Sequence, residues 1–179
     1  MMMDKKLKGH LAAFFCAIVW GTTFISTKVL LREFPPLDIL FYRFLLGYVM
    51  LWLARPKWFK PAKLAHELYF LAAGASGVTI YYLLENVALT YSLTANVSII
   101  ISVAPFLTAL IAHFVLKDEK MKKNFFIGFV VAILGVALVT FNGRAVLKLN
   151  PLGDMLAVGA AVVWASYSII IRKMGKYEY

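Results

Sequence analysis

Six long apolar runs, separated by short clusters of charge, constrain this chain more than any other feature of its sequence. The runs cover residues 11–31, 37–53, 68–84, 95–116, 125–141 and 156–171. Most approach the roughly 20 residues that an α-helix needs to cross the hydrocarbon core of a bilayer. Backbone groups in lipid must bond within their own segment, and the runs lack the alternating pattern of barrel strands. The sequence therefore predicts an all-α fold, a polytopic membrane helix bundle with six transmembrane helices.

Composition supports a lipid environment and argues against the soluble alternatives. Hydrophobic residues make up 62% of the 179 and charged residues only 16%. The formal charge of +10 does not indicate nucleic-acid binding, because the Lys and Arg residues lie between apolar runs rather than on one basic face. The single cysteine, Cys16, lies within the first run and supports neither a disulfide framework nor a cysteine-based zinc site. No cofactor or metal is predicted.

The distribution of Lys and Arg between the runs predicts an orientation. With the N-terminus in the cytoplasm, fourteen of these residues lie in cytoplasmic segments and four lie in the opposite loops. Cytoplasmic loops of membrane proteins carry such an excess. We therefore predict a multi-pass protein of the cytoplasmic membrane whose N-terminus and 117–123 loop are cytoplasmic.

Proline residues mark the predicted boundaries. Pro35 and Pro36 separate the first two runs, and Pro151 fits the first turn of the sixth helix. Pro105 falls inside the fourth run, where it removes a backbone hydrogen bond and predicts a kink.

The first and sixth runs are similar to each other. When Gly9 is aligned with Gly153, a shift of 144 residues, six of the twenty paired positions are identical. The identical pairs include Trp20 with Trp164, and Lys28 is paired with Arg172. Small residues recur every fourth position in both helices, a spacing that favours close helix packing. They are Ala13, Ala17 and Gly21 in the first and Ala157, Ala161 and Ala165 in the sixth.

This repeat divides the chain into a five-helix unit, residues 1–150, and the first helix of a second unit, residues 151–179. Because five is odd, the second unit enters the membrane in the opposite orientation, giving a partial inverted five-plus-five repeat. Four further helices would complete it. We therefore expect that residues 1–179 alone do not transport and that the sixth helix packs loosely. Either a homodimer or a missing C-terminal half could supply the remaining helices, although the charge bias disfavours an inverted second copy.

Several motifs in order resemble the EamA type of the drug/metabolite transporter superfamily. They are Trp20-Gly21-Thr22-Thr23-Phe24, Pro35-Pro36, Tyr42-Arg43-Phe44, residues 88–96, Pro105, Leu116-Lys117-Asp118-Glu119, and Gly128 with Gly135-Val136. The resemblance covers the first unit and the opening of the second. It implies ten spans in two inverted units and secondary transport of metabolites, amino acids or drugs by alternating access without ATP hydrolysis.

Six residues are candidates for a substrate pocket near the middle of the membrane. Trp20 and Trp164 lie near mid-span, away from the interfaces where tryptophan anchors helices. With nearby polar side chains they could form an apolar cavity for a small organic molecule, and packing between helices is the alternative. The polar candidates are Thr23, Asn96, Ser98 and Ser102.

Two charged residues, Arg43 and Glu85, fall inside predicted spans at similar depth. Charges within a membrane usually face the bundle and have a partner, which makes them a candidate pair. In the alternative reading, both side chains extend to the lipid headgroups, as we expect for Lys28 and Arg32.

The sequence favours a transporter over other classes. No phosphate-binding loop, zinc-protease motif or nucleophile elbow is present, so no enzyme is predicted. A small multidrug exporter would carry an acidic residue in its first span, and here that span has none. A non-transporting membrane scaffold or a nonfunctional fragment is the alternative from another class.

Overall fold

The computed structural model describes residues 2–56, 64–116, 121, 123–141 and 150–175. The regular elements of these residues are all helical. In chain order they are α1 (Met2–Leu30), α2 (Pro36–Ala54), α3 (Leu64–Ala73), a π-helical segment (Gly74–Ile80), α4 (Tyr81–Tyr91), α5 (Thr94–Ile101), α6 (Ala104–Val115), α7 (Lys123–Phe141) and α8 (Pro151–Met174).

The all-α membrane bundle predicted from the sequence is confirmed. Five helical segments are long and apolar enough to cross a bilayer, and α7 includes a shorter apolar helix, Lys123–Val136, among the residues described. The five are Leu7–Leu30, Pro36–Ala54, His66–Tyr91, Thr94–Val115 and Pro151–Met174. The basic loops used to predict orientation, residues 57–63 and most of 117–122, lie outside the described residues.

Local sequence explains where the helices start and stop. Pro36 begins α2 and Pro151 begins α8, each in a first turn where its missing N–H leaves no bond unmade. The Asn150 side chain caps α8 by accepting a hydrogen bond from the Gly153 N–H at 3.1 Å. In the fourth run, where Pro105 predicts a kink, the structure has a break: α5 ends at Ile101 and α6 begins at Ala104, with Pro105 in its first turn.

The third span contains a feature that the sequence analysis missed. Between α3 and α4, the segment Gly74–Ile80 adopts π-helical geometry, in which the Tyr81 N–H bonds to the Ser76 carbonyl. This wider turn changes the helical phase between the two halves of the span. It therefore decides which face of α4 meets the rest of the bundle.

The helix α8 lies at the centre of the packing, contrary to the expectation that it would pack loosely. It contacts α3, the π-helical segment, α4, α5 and α6. Its buried face consists mainly of small residues: Gly153, Ala157, Ala160, Ala161, Ala165, Ile169 and Met174. The expectation was wrong because α3 to α6 of this chain cover this face.

Two glycines allow the close approach of α8. A Cβ added to Gly77 would lie 2.6 Å from Cγ of Tyr167, so the tyrosine ring rests against the π-helical backbone. A Cβ added to Gly153 would lie 2.7 Å from the Ser92 Cβ and 3.0 Å from its backbone nitrogen. Glycines at these contacts let the helix backbones pack closely. In lipid, helix association depends on van der Waals contact rather than on exclusion of water.

Candidate functional site

An aromatic cavity lies between α1, α4, α8 and the break that separates α5 from α6. Its volume is about 230 Å³. The residues that line it are Trp20, Phe24, Tyr81, Ser98, Ile101, Ser102, Ala104, Pro105 and Trp164. Four of the six pocket candidates are therefore brought together by the structure. Whether they bind a substrate stays a prediction.

The two tryptophans related by the internal repeat meet in this cavity. The ring centroids of Trp20 and Trp164 are 5.2 Å apart, with the planes tilted by 54°. Trp164 also contacts Tyr81 at 4.8 Å and Tyr167 at 5.2 Å between centroids. These separations lie within the range of favourable aromatic pairs. The wall facing a ligand is therefore a cluster of π faces and edges.

Polar groups in the aromatic cavity mostly offer acceptor capacity. Ser98 Oγ donates to the Ala95 carbonyl at 2.9 Å, and Ser102 Oγ donates to the Ile99 carbonyl at 2.6 Å. Each hydroxyl has one proton, so their lone pairs remain for a ligand that donates hydrogen bonds. The Tyr81 hydroxyl is buried beside the Glu85 carboxylate and makes no hydrogen bond of standard geometry among the described residues.

Two predicted pocket residues lie elsewhere. Asn96 is two positions before Ser98 and therefore points about 200° around the helix from it; its side chain is buried away from the cavity lining. Thr23 lines a second cavity, between α1 and α2. Conversely, the sequence analysis missed Tyr81, whose position depends on the π-helical turn, and Phe24, which lies one turn after Trp20.

The second cavity, here the arginine cavity, lies between α1 and α2. Its volume is about 430 Å³. It is lined by Thr23, Ser26, Leu30, Phe34, Ile39, Tyr42, Arg43 and Leu46. Arg43 Nη2 donates to the Thr27 hydroxyl at 2.5 Å, and its guanidinium carbon lies 5.5 Å from the centre of the Tyr82 ring. Arg43 therefore faces the bundle rather than extending to the headgroups.

The predicted pair of Arg43 and Glu85 is not made as a direct contact in the described part of the chain. Glu85 is buried, with 1% of its surface exposed, and it lies within electrostatic reach of Arg43. Yet Arg43 Nη1 and Glu85 Oε2 are both buried without a hydrogen-bond partner among the described residues. Arg43 is bonded to the Thr27 hydroxyl rather than to the Glu85 carboxylate that the sequence predicted.

A polar network joins α1, α4 and α8 near the predicted non-cytoplasmic end. Lys28 Nζ donates to the Leu89 carbonyl and, at 3.0 Å, to the Ser92 carbonyl, which places a cation at the C-terminus of α4. Ser92 Oγ in turn donates to Asp154 at 2.6 Å. The expectation that Lys28 extends to the headgroups was therefore wrong, because unpaired carbonyls at the end of α4 attract it first.

No metal centre is apparent in the part of the chain that the structure describes, where no three His, Cys, Asp or Glu side chains are placed to share an ion. The two cavities instead combine apolar walls with a few polar groups. Such surfaces suit a small organic ligand between the helices of a membrane bundle.

The helical bundle and its long apolar spans define a multi-pass membrane protein. Residues 7–141 match the model of the EamA-like transporter family. The chain belongs to that family, as its motifs indicated.

Several similar proteins are named as uncharacterized transporters. An uncharacterized transporter of Archaeoglobus fulgidus is 28% identical over 177 residues, which are 96% of this chain and 60% of that protein. The uncharacterized inner membrane transporter YhbE of Escherichia coli is 30% identical over 171 residues, 90% of this chain and 53% of YhbE. The uncharacterized transporter YvbV of Bacillus subtilis is 28% identical over 174 residues, 95% of this chain and 55% of YvbV.

The chain spans a little over half the length of these relatives. No solved structure matches it. The family and the names of the relatives point to a transporter rather than an enzyme, in a multi-pass membrane protein.

Proposed function

We propose that this chain forms part of a secondary transporter that moves a small organic molecule across the cytoplasmic membrane. The observation that supports this most directly is the aromatic cavity, in which Trp20 and Trp164 from repeat-related helices meet at 5.2 Å. Inverted-repeat transporters bind their substrates at the interface between repeats. A cavity lined by the same residue from both repeats has that location.

In the proposed mechanism, the two units rock about the bound substrate and open the site to each side of the membrane in turn. The N-terminus and the 117–123 loop are cytoplasmic, as the excess of Lys and Arg indicates. The units are residues 1–150 and the segment beginning at 151, whose helix α8 starts at Pro151. Movement of α8 relative to α1 would separate the two tryptophans, and no ATP hydrolysis is involved.

The proposal is tested by equilibrium binding to the chain in lipid nanodiscs. The probes are radiolabelled amino acids and cationic drugs. Trp164→Ala removes the ring that contacts three other aromatic side chains, so we expect at least a tenfold loss of affinity for any probe that binds. Trp20→Ala should also weaken binding. Trp52→Ala is the matched control, because Trp52 is 43% exposed on α2 and does not line the aromatic cavity.

Equal effects of all three substitutions would contradict the proposed site, as would binding that none of them changes. Uptake in liposomes, measured first for the unsubstituted chain, tests transport separately from binding. The expectation from the repeat is that residues 1–179 alone show no saturable uptake. Saturable uptake that depends on Trp20 would show that this chain alone is the functional unit, and would overturn that expectation.

A further inference from the structure

The arginine cavity presents a buried cation whose partners in the described structure are not anions. Arg43 is the eighth residue of the apolar span Pro36–Ala54, at a depth where a charge normally requires a partner. Its Nη2 is bonded to a neutral hydroxyl, that of Thr27, and the ring of Tyr82 provides a weaker cation–π contact. Its Nη1 is buried and has no partner among the described residues.

Glu85 does not neutralise this cation by direct contact. The Glu85 carboxylate is close enough to Arg43 for electrostatic attraction, but no ion pair joins them within the described part of the chain. A guanidinium has five N–H donors in a planar fork that matches a carboxylate. Arg43 lines the arginine cavity, and only one of its donors is bonded to Thr27, so a carboxylate there could pair with the others.

Apart from Arg43, the cavity wall is mostly apolar and suits the apolar body of a ligand. Thr23 Oγ1 donates to the Trp20 carbonyl at 2.6 Å, and Ser26 Oγ donates to the Thr22 carbonyl at 3.0 Å, so the protons of both hydroxyls are already used. Most of the remaining surface comes from apolar side chains: Leu30, Phe34, Ile39 and Leu46. The charge of Arg43 disfavours cations, and the apolar walls disfavour small hydrated ions.

We propose that the arginine cavity binds the carboxylate of a small organic acid, with Arg43 as its counter-ion and the apolar walls around its body. The volume of about 430 Å³ lies within the range of small-molecule sites. The inference deepens the proposed function by naming a substrate class, and it rests on that function only where the acid is taken to be the transported molecule. Binding itself can be tested without transport.

The test compares two probes with the same body, indole-3-acetate and indole-3-acetamide, which differ in charge at the group expected to meet Arg43. Dissociation constants are measured at pH 7 by equilibrium dialysis against the chain in nanodiscs of zwitterionic lipid. We expect the acid to bind at least tenfold more tightly than the amide. Equal affinities would overturn the proposal.

Three variants connect the preference to the cavity. Arg43→Gln should abolish the preference for the acid, and Arg43→Lys should keep part of it, because charge remains but the fork is lost. Arg32→Gln makes the same change of charge at an exposed position beyond α1 and should keep the full preference. A preference that survives Arg43→Gln would overturn the proposal.

A further variant keeps the test decisive if Arg43→Gln fails to fold. Ser26→Phe leaves the charge in place and fills the cavity from a side chain whose hydrogen bond, to the Thr22 carbonyl, lies within its own helix. It should weaken binding of the acid at least tenfold, and unchanged binding would contradict the proposed location.

Repeating the measurement in nanodiscs with anionic lipid distinguishes a soluble acid from a lipid headgroup. Unchanged affinity supports the acid, and complete competition by the lipid overturns it.

These outcomes are separable from failure of the proposed function. If indole-3-acetate and indole-3-acetamide bind equally while Trp164→Ala still abolishes binding of another probe, only the proposal of a carboxylate site fails. The opposite outcome is that the protein binds the acid more tightly than the amide while no substitution in the aromatic cavity alters any binding. In that case the aromatic cavity is not the substrate site, and the arginine cavity is still a carboxylate site.

Discussion

The helices α1 and α8 share a sequence pattern but differ in how they pack. Ala157, Ala161 and Ala165 of α8 are at most 1% exposed. The repeat-related positions of α1, which are Ala13, Ala17 and Gly21, are all exposed. The same spacing of small residues therefore lies at a tight interface in one helix and on an open surface in the other.

The difference teaches that a small-residue face specifies how a helix can pack, whereas its neighbours decide whether it does. In α8 the face meets α4, α5 and α6 of the first unit. In an inverted five-plus-five arrangement, α1 would meet the corresponding helices of the second unit. On this hypothesis the open face of α1 is a packing surface, and substitutions at repeat-related positions measure the difference directly.

The largest effect is expected from enlarging the small residues. Ala161→Leu inserts three carbons where only 1% of the surface is exposed and should lower the free energy of unfolding by about 3 kcal/mol, the upper end of overpacking effects. Ala17→Leu, its repeat-related control, should change stability by less than about 0.5 kcal/mol. The measurement is unfolding in mixed micelles of increasing SDS content. Equal losses would show that α1 is packed as tightly as α8.

A smaller effect is expected where α8 contacts the π-helical segment. Gly77→Ala places a methyl group against the ring of Tyr167 and should destabilise the chain by about 2 kcal/mol, because the ring and α8 must shift. Gly74→Ala lies three residues earlier in the same segment, where an added Cβ meets no described atom within 4 Å. It should be neutral or slightly stabilising, since alanine favours a helix. Comparable losses in the SDS titration would argue against the close contact.

Local signals in the sequence predicted the helices well. Apolar run length, Pro36 and Pro151 at first turns, and Pro105 at the break all act within one or two turns, so they can be read without knowledge of the neighbours. The π-helical turn at Gly74–Ile80 could not be read in this way. Its small residues, Gly74, Ser76 and Gly77, were the available signal, but their role depends on Tyr167, which is ninety residues away from Gly77 in the sequence.

The candidate site was only partly predictable for a related reason. Helical spacing placed Ser98 with Ser102, and the repeat pointed to Trp20 with Trp164, but nothing in the sequence showed which face of α5 or α1 turned inward. The partners of charged groups were least predictable. Lys28 bonds to carbonyls more than sixty residues away, and Arg43 bonds to a threonine on α1 rather than to the acid at its depth. Backbone and hydroxyl acceptors carry no distinctive sequence signal.

The smallest effect is expected at the N-terminus of α8. There α8 differs from α1 in its polar contacts rather than in the packing of small residues. The Asp154 carboxylate accepts from Ser92 Oγ at 2.6 Å and from the Asn150 backbone N–H at 3.1 Å. It also lies in the first turn of the helix, where negative charge is favourable. Asp154→Ala should therefore cost about 1 kcal/mol.

The matched control for this substitution is His10→Ala, because His10 is the repeat-related residue of α1 and its side chain is exposed. It should leave the unfolding midpoint unchanged. Ser92→Ala removes one of the two bonds to Asp154 and leaves the helix-terminal charge in place, so its loss should be smaller than that of Asp154→Ala. If Asp154→Ala and Ser92→Ala together cost the sum of the single losses, the two side chains act independently, and the contact between α4 and α8 at this end does not depend on their hydrogen bond.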